Sequence, residues 1–230
     1  MFDLEGEKWL STETTYDGKW PYRDQLQNAS VEIFMLHLFV FGGQVHGGAN
    51  NNILMALDLR TLRWQSFGGG KKGSKYDVNW PGPRGSAACW VNFDQLQFCV
   101  MYGSLMEDRL MRDAPDDFWS FSILEKKWTR QRIRGNFPPP RFYTSAVYHR
   151  GLKSVLMHGG LGSTCCVVHN PQPAREEEQF KYTLYGDVYI MDTATNMWRQ
   201  VVTRGFPTWR SQGHLLVDND TGKIYLFGGK

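Results

Sequence analysis

The sequence predicts an all-β fold built from repeated four-stranded units, and two recurring blocks are the basis of that prediction. The first block is an acidic or small polar residue followed six positions later by tryptophan. It occurs at Asp3 to Trp9, Asp58 to Trp64, Ser122 to Trp128 and Asp192 to Trp198. The second block is an apolar run ending in glycines, at residues 38–43, 98–104, 155–160 and 224–229. Two unlike blocks that alternate along a chain indicate a repeat architecture.

A proline-led turn precedes each glycine block. Clear copies begin at Pro83, Pro140 and Pro207, and a weaker copy begins at Pro21. The distance from these prolines to the first position of the glycine block is 19 to 21 residues in all four cases. This near-constant spacing supports one repeated unit.

Each unit is predicted to contain four short strands. The first follows the proline turn, as at residues 86–91, and the second ends in the glycines. The third runs over residues 53–58, 117–122 and 187–192, and the fourth starts at the tryptophan. Short apolar runs bounded by Gly, Pro and Asp are typical of strands, and no amphipathic helical pattern of useful length is found.

The glycine pairs begin at residues 42, 159 and 228, with Gly103-Ser104 as a degenerate copy, so the steps are 61, 56 and 69 residues. A period of this size with four strands per unit is typical of a β-propeller blade.

These motifs resemble kelch repeats, of the kelch and galactose-oxidase-like propeller superfamily, over nearly the whole chain. Glycine after the second strand allows a close backbone approach, and the tryptophan offers an apolar face to the next blade. Trp9 is assigned to structure together with the repeat signature, which is Gly42, Gly43, Trp64, Gly103, Trp128, Gly159, Gly160, Trp198, Gly228 and Gly229.

One propeller domain is expected over residues 1–230, with repeats at about 21–82, 83–139 and 140–206 and partial repeats at about 1–20 and 207–230. The count gives three complete blades with partial blades at both ends. An arc cut from a longer propeller, or an incomplete gene product, is the first interpretation, and a closed four-bladed ring is the second.

Composition excludes several classes of protein. Aromatic residues make up 14% and charged residues 21%, which is too apolar for disorder and too polar for a membrane protein. A net charge of +3 requires neither nucleic acid nor anionic lipid. No signal peptide is recognised and four Cys do not form a disulfide framework, so a cytoplasmic or nuclear location is expected.

In kelch domains that recognise peptides, the resemblance places the contact positions just after the proline turn and just after the glycines. By position, the first set is Ser86, Tyr143, Arg210 and Ser211, with Arg23 and Asp24 as weaker members. The second set is Gln44, His46, Leu105, Leu161 and Gly162. Arg, Tyr and Ser suit an extended peptide or its carboxylates. Arg84 and Arg141 are expected to be structural.

Two loops exceed the needs of the repeat. Residues 65–82 contain a glycine and lysine run that lacks the strand–helix context of a phosphate-binding loop, so a flexible basic loop is expected. Residues 161–182 contain Cys165, Cys166 and His169, which are too few ligands for zinc, and a loop of this length is usually functional or disordered. No metal or cofactor is expected.

Cys89 and Cys99 flank a turn near Asp94, and counting outward from Asp94 pairs them across a hairpin. A cross-strand disulfide and two buried thiols both stay open at this point, with buried thiols favoured in a reducing compartment.

The resemblance implies a non-catalytic protein-interaction module, either a scaffold or the substrate-recognition part of a ubiquitin-ligase, cytoskeletal or polarity assembly. No catalytic constellation stands out. The alternative is an enzyme: a secreted copper radical oxidase, for which Tyr143, His149, His158 and His214 lack the required pattern, or a sugar-processing propeller.

Overall fold

The structure, a computed structural model, describes residues 2–3, 5–9, 26–45, 50–69, 79–107, 110–112, 116–167, 178–205 and 208–230. All regular structure in these ranges is β, as the sequence predicts. Within the same ranges, no helix long and apolar enough to cross a membrane is found.

The chain begins with a hairpin of Phe2–Asp3 (β1) and Lys8–Trp9 (β2). Blade 1 and a short pair beside it follow. Their strands are Leu26–Gln27 (β3), Ser30–Phe34 (β4), His37–Phe41 (β5), Gln44–Val45 (β6), Leu54–Asp58 (β7) and Arg63–Gly68 (β8). The blade is the antiparallel sheet β4-β5-β7-β8, and β3 pairs with β6.

Blade 2 repeats this plan with a small hairpin inserted between its second and third strands. Its strands are Ala88–Asn92 (β9), Gln97–Met101 (β10), Leu105–Glu107 (β11), Leu110–Arg112 (β12), Phe118–Ser122 (β13) and Lys127–Gln131 (β14). The blade is the sheet β9-β10-β13-β14, and β11 pairs with β12.

Blade 3 has a longer inserted hairpin and a fifth, parallel strand at its outer edge. Its strands are Arg134–Gly135 (β15), Ser145–His149 (β16), Ser154–His158 (β17), Leu161–Val167 (β18), Glu178–Leu184 (β19), Val188–Asp192 (β20) and Met197–Val201 (β21). The partial blade 4 is the hairpin Gly213–Val217 (β22) and Ile224–Gly228 (β23).

The acidic residue of the Asp-to-Trp block closes the turn between the third and fourth strands. The Asp58 carboxylate accepts from the backbone N–H of Arg60 at 2.8 Å, and Asp192 accepts from Thr195 N–H at 2.9 Å. In blade 2 the Ser122 hydroxyl accepts from Glu125 N–H at 3.1 Å. These hydrogen bonds explain why a short polar acceptor recurs at this position.

The sheets are arranged around an axis with their first strands innermost. β9 packs against both β4 and β16, and β16 packs against β22, although the sheets do not share hydrogen-bonded strands. Sheets that meet through their first strands and diverge toward their fourth strands form the blades of a β-propeller. This confirms the predicted fold class.

Each pair of adjacent complete blades encloses an apolar cluster. One cluster joins Phe39 and Phe41 of blade 1 to Phe98 and Phe121 of blade 2, and another joins blades 2 and 3. The signature tryptophans Trp128 and Trp198 are 2% and 1% exposed. They pack against the preceding blade and not, as predicted from the sequence, against the next one.

The two terminal hairpins do not share a sheet. Within the described residues, β1–β2 and β22–β23 are separate two-stranded sheets. The arc and the four-bladed ring both stay predictions. Trp9 is 79% exposed, and blade 4 leaves Leu216, Tyr225 and Phe227 exposed on one face. The predicted repeat boundaries stay a prediction.

The pairing of Cys89 with Cys99 is wrong. Cys89 lies opposite Val100, and Cys99 lies opposite Trp90. Since neighbouring residues of a strand point to opposite faces, the two thiols face different blades and are free cysteines.

Candidate functional site

A repeated arginine holds the turn that leads into the first strand of blades 2, 3 and 4. Arg84 Nη1 donates to the carbonyl of Tyr102 at 3.1 Å, Arg141 Nη1 to that of Gly159 at 3.0 Å, and Arg210 Nη1 to that of Gly228 at 2.9 Å. In each case Nε also donates to the carbonyl two residues earlier. The three arginines are therefore equivalent.

Two of these arginines also bind a carboxylate. Arg84 donates two hydrogen bonds to Asp117, and Arg141 donates two to Asp187. Burial by itself would raise the pKa of Asp117, but the hydrogen bonds and charge of Arg84 hold that pKa below its usual value. The expectation that Arg84 and Arg141 are structural agrees with these contacts.

The residue two positions after each arginine has a left-handed backbone. The φ angles of Ser86, Tyr143 and Gln212 are +52°, +54° and +59°, and Asn28 has +56° at the same place in blade 1. Ser86 N–H donates to Asn28 C=O at 2.7 Å, Tyr143 N–H to Ser86 C=O at 3.0 Å, and Gln212 N–H to Tyr143 C=O at 2.9 Å. We call these four the ring residues, because they link consecutive blades around the axis.

The glycine blocks form backbone hydrogen bonds to the next blade, beside the ring residues. Gly43 N–H donates to Arg84 C=O at 2.8 Å, Gly103 N–H to Arg141 C=O at 3.1 Å, and Gly160 N–H to Arg210 C=O at 2.9 Å. In blade 2 the pair is Tyr102-Gly103 and not Gly103-Ser104, with Tyr102 at φ +61° in the place of the first glycine. The second glycine is thus the one that all blades keep.

The positions after the glycines lie beside the positions after the arginines. Ser104 and Gly85 exchange two backbone hydrogen bonds, as do Leu161 and Phe142. The fold therefore brings the two predicted sets together at one end of the blades, which we call the ring face. This follows from the topology, since the first strand begins where the antiparallel second strand ends.

Two hairpins stand at this end of the blades. β11–β12 follows Ser104, and the longer β18–β19 follows Gly160. Within β19, Tyr182 is 47% exposed and its ring packs edge-on against Phe142, with 6.0 Å between ring centroids. The loop predicted at 161–182 is therefore largely a β-hairpin that rises beside Tyr143.

The predicted site residues differ in their surroundings. The Ser86 hydroxyl oxygen is buried and has no hydrogen-bond partner in the described part of the chain. Tyr143 and Gln44 are half-buried, whereas Ser211 is buried and exchanges backbone hydrogen bonds with Lys230. His46, Arg23 and Asp24 lie outside the described residues, as do the glycine and lysine run from residue 70 and His169. Of Leu105, Cys165 and Cys166 only the backbone is described.

One position of the first predicted set, Arg210, is not equivalent to Ser86 and Tyr143. Arg210 corresponds to Arg84 and Arg141, so the ring residue of blade 4 is Gln212, which the sequence analysis misses. The signal was present: Pro81, Pro138 and Pro207 each lie three residues before the arginine. A contact between Arg210 or Ser211 and a partner stays a prediction. Tyr182 was also missed, because nothing in its local sequence shows that it lies beside Phe142.

The acidic, cysteine and histidine side chains do not cluster in the described ranges. No group of three His, Cys, Asp or Glu side chains that could hold a metal is found in the described ranges. His149 Nε2 lies 2.9 Å from Gly222 O, and His158 Nδ1 lies 3.0 Å from Asp187 O. Burial lowers the pKa of His158. These two imidazoles are held by backbone carbonyls and so contribute to the fold.

Comparison with known proteins adds two findings. The family model described as the KLHDC2/KLHL20/DRC7 Kelch-repeats domain matches residues 1–160. The protein named Kelch domain-containing protein 1, from Mus musculus, is 25% identical over 213 residues, covering 84% of this chain and 46% of that protein. The chain thus spans about half the length of this relative.

Proposed function

The chain belongs to the kelch-repeat family, and we propose that it is a non-catalytic protein-binding module that takes an extended peptide on the ring face. Kelch repeats are commonly protein-interaction modules. The proposed role is that of a scaffold or substrate-recognition propeller, in the cytoplasm or nucleus. A ubiquitin-ligase assembly or a cytoskeletal or polarity complex is the proposed setting.

One observation carries this proposal: the ring residues are joined from blade to blade by backbone hydrogen bonds of 2.7 to 3.0 Å. Because their backbone groups are already paired, their side chains are left to recognise a ligand. A rigid scaffold that presents side chains from several loops at one end is the usual way for such folds to bind.

The chemistry of these side chains suits a peptide. The Ser86 hydroxyl, which has no partner among the described residues, gains a hydrogen bond if a peptide carbonyl or N–H reaches it, and buried polar groups without partners are costly. Tyr143 offers an aromatic surface with one polar end, a residue type enriched at binding hot spots. The exposed Tyr182 and Leu184 on β19 extend the apolar surface beside it.

The test is a selection followed by point variants. A displayed library of random twelve-residue peptides is selected on the immobilised chain, and the enriched peptides are synthesised. Their affinity is then measured for the wild type and for Tyr143→Asn with Gln212→Gly. Asn and Gly tolerate the positive φ at these positions, so the double variant is expected to keep its fold.

We expect the double variant to bind at least tenfold more weakly. The matched control is Glu125→Ala with Asp220→Ala, two exposed positions in turns at the opposite end of the blades, which should leave affinity unchanged. If the enriched peptides bind the ring-face variant as tightly as the wild type, or lose affinity only in the control, the ring face is not the binding surface.

A further inference from the structure

The two interfaces between complete blades are formed by equivalent strand positions, but the side chains at some of these positions differ in size and polarity. In the interface of blades 1 and 2, Phe39 stacks on Phe67 and Phe98, with ring centroids 6.4 and 5.8 Å apart, and Phe67 lies 5.1 Å from Phe121. In the interface of blades 2 and 3, smaller or polar residues stand at the corresponding places. The strand register gives Cys99, Val155 and Met191. Gln131 lies three residues after Trp128, as Phe67 lies three residues after Trp64, although a bulge in blade 1 shifts the pairing there.

This substitution leaves a cavity of about 250 Å³ between blades 2 and 3. It is bounded by the sheet of blade 2 and by the turn of blade 3 at residues 193–196. Asn92 ends β9 and Gln97 begins β10, whereas the ring residue Ser86 precedes β9. The cavity extends from this end along blade 2 to Phe118 and Gln131, and none of the four ring residues lines it.

Carboxamide side chains dominate the lining. Asn92, Gln95, Gln97, Gln131 and Asn196 all contribute, and none of the described lining residues is charged. Several of them orient one another: Asn196 Nδ2 donates to Gln131 Oε1 at 3.2 Å, and Asn92 Nδ2 donates to Gln95 Oε1 at 3.1 Å. Gln131 Nε2 is in turn held by the Ser120 hydroxyl at 2.9 Å.

Polar groups remain unused after these hydrogen bonds are made. Trp90 lines the cavity and is 1% exposed, and its indole Nε1–H has no acceptor among the described residues. In the same described part of the chain, no hydrogen bond is formed by the Gln97 side chain, by the Gln95 amide nitrogen or by the Asn196 amide oxygen.

We propose that this cavity is a binding site for a small, uncharged ligand that carries a primary carboxamide. A carboxamide both donates and accepts, so it pairs with the Gln97 side chain, whose amide nitrogen donates and whose amide oxygen accepts. A charged ligand is disfavoured because no opposite charge lines the cavity, and an apolar one because it leaves the amides unpaired. At about 30 Å³ per water, the volume holds roughly eight non-hydrogen atoms, the size of a benzamide-like molecule.

Three probes of nearly equal shape test this inference: benzamide, benzoate and toluene. Each is titrated into the ¹⁵N-labelled full chain, and the Trp90 indole N–H signal, assigned with Trp90→Phe, is followed. We expect benzamide to shift this signal with saturation, and benzoate and toluene to bind at least tenfold more weakly. Equal responses to all three probes, or a benzamide shift that never saturates, would show that the cavity holds only water.

Variants separate the cavity from nonspecific effects. Gln97→Leu, in a half-buried position, should weaken benzamide binding at least tenfold, and Gln131→Phe, which restores the residue type of the other interface, should abolish it. Gln200→Leu, an exposed carboxamide on the outer strand of blade 3, is the control and should bind as the wild type does. Unchanged benzamide affinity in Gln97→Leu would overturn the assignment even if Gln131→Phe fails to fold.

Discussion

Arg141 and Asp187 form a two-point ion pair, with Nη1 to Oδ1 at 2.6 Å and Nη2 to Oδ2 at 3.1 Å. The Arg141 side chain is fully buried, and its guanidinium also lies 4.0 Å from the centroid of the Tyr185 ring. The pair connects the turn before the first strand to the start of the third strand. It thereby fixes the turn that presents Tyr143.

Asp187→Ile should destabilise the fold by about 3–5 kcal/mol, because it leaves the buried Arg141 charge uncompensated. The measurement is the free energy of unfolding in urea. Arg60→Ala removes the exposed Arg60–Asp58 pair, in which the arginine side chain is 64% exposed, and should cost less than about 1 kcal/mol. Equal costs for the two variants would mean that burial of the pair is unimportant.

The double variant Arg141→Leu with Asp187→Ile should be more stable than Asp187→Ile alone. Blade 1 gives the reason, since the register places Leu26 at the arginine position and Ile53 at the aspartate position. Removing both charges avoids the lone buried ion. Strictly additive costs in a double-mutant cycle would contradict this coupling.

Gly103→Ala should cost about 3 kcal/mol or more, by combining an unfavourable backbone with overpacking. Gly103 has a φ of +103°, and an added Cβ would lie 2.8 Å from Gly85 O and 2.9 Å from Ala87 Cβ. Gly205→Ala is the matched control, because its φ is +82° but no atom lies within 4 Å of the added Cβ. Thermal unfolding of both variants checks the difference, and similar melting temperatures would show that backbone strain alone sets the cost.

Glu32 should make stability fall with rising pH. Burial raises its pKa from 4.5 to about 8 in the folded chain, where it lies 4.0 Å from the Cys89 sulfur. The folded state therefore binds the proton more tightly than the unfolded state. This contribution is complete below the unfolded pKa and is lost as the pH rises through about 8, with a slope of up to about 1.4 kcal/mol per pH unit.

Glu32→Gln should flatten this dependence and raise the melting temperature at pH 8 relative to the wild type. Thermal unfolding at half-unit steps from pH 5 to 8.5 measures the effect. Glu125→Gln, at an exposed turn, should keep the wild-type profile. A Glu32→Gln profile that parallels the wild type would show that Glu32 titrates normally.

Cys89 and Cys99 should stay reduced and unreactive in the folded chain. Burial raises the pKa of both thiols, which disfavours the reactive thiolate at pH 8. Both lie in one tryptic peptide, residues 85–109, whose mass after iodoacetamide treatment shows two free thiols, two labels or a disulfide. We expect no label in the native chain and two after unfolding in guanidinium. A loss of two hydrogens would contradict the observed register.

The sequence predicted much of the fold because its signals are local. The third strands begin within one residue of their predicted starts, as at Val188. Asp58 and Asp192 bond to backbone groups two and three residues away, and such contacts recur visibly in a repeat. That the positions after the proline turns lie beside the positions after the glycines could also be predicted, because an antiparallel first strand begins where the second strand ends.

Register was harder to predict, because a slip of one or two residues leaves composition and period unchanged. A count from Asp94 put Cys89 opposite Cys99, and a count from Pro207 put Arg210 in the place of Gln212. The pairing within the β9–β10 hairpin decides the first case. Hydrogen bonds between blades decide the second, and these join residues more than fifty positions apart in the chain, such as Tyr143 and Ser86.

By itself, the amino-acid sequence determined an all-β repeat with polar turn acceptors, glycine closures and buried tryptophans, because short-range backbone geometry selects those residues. Only the tertiary structure decided which residues face each other across blades. That includes the chain of ring residues, the hairpin beside Tyr143 and the carboxamide cavity at Trp90. What these features can bind depends on the space and the unpaired polar groups that remain when distant strands pack. No local sequence pattern determines either of them.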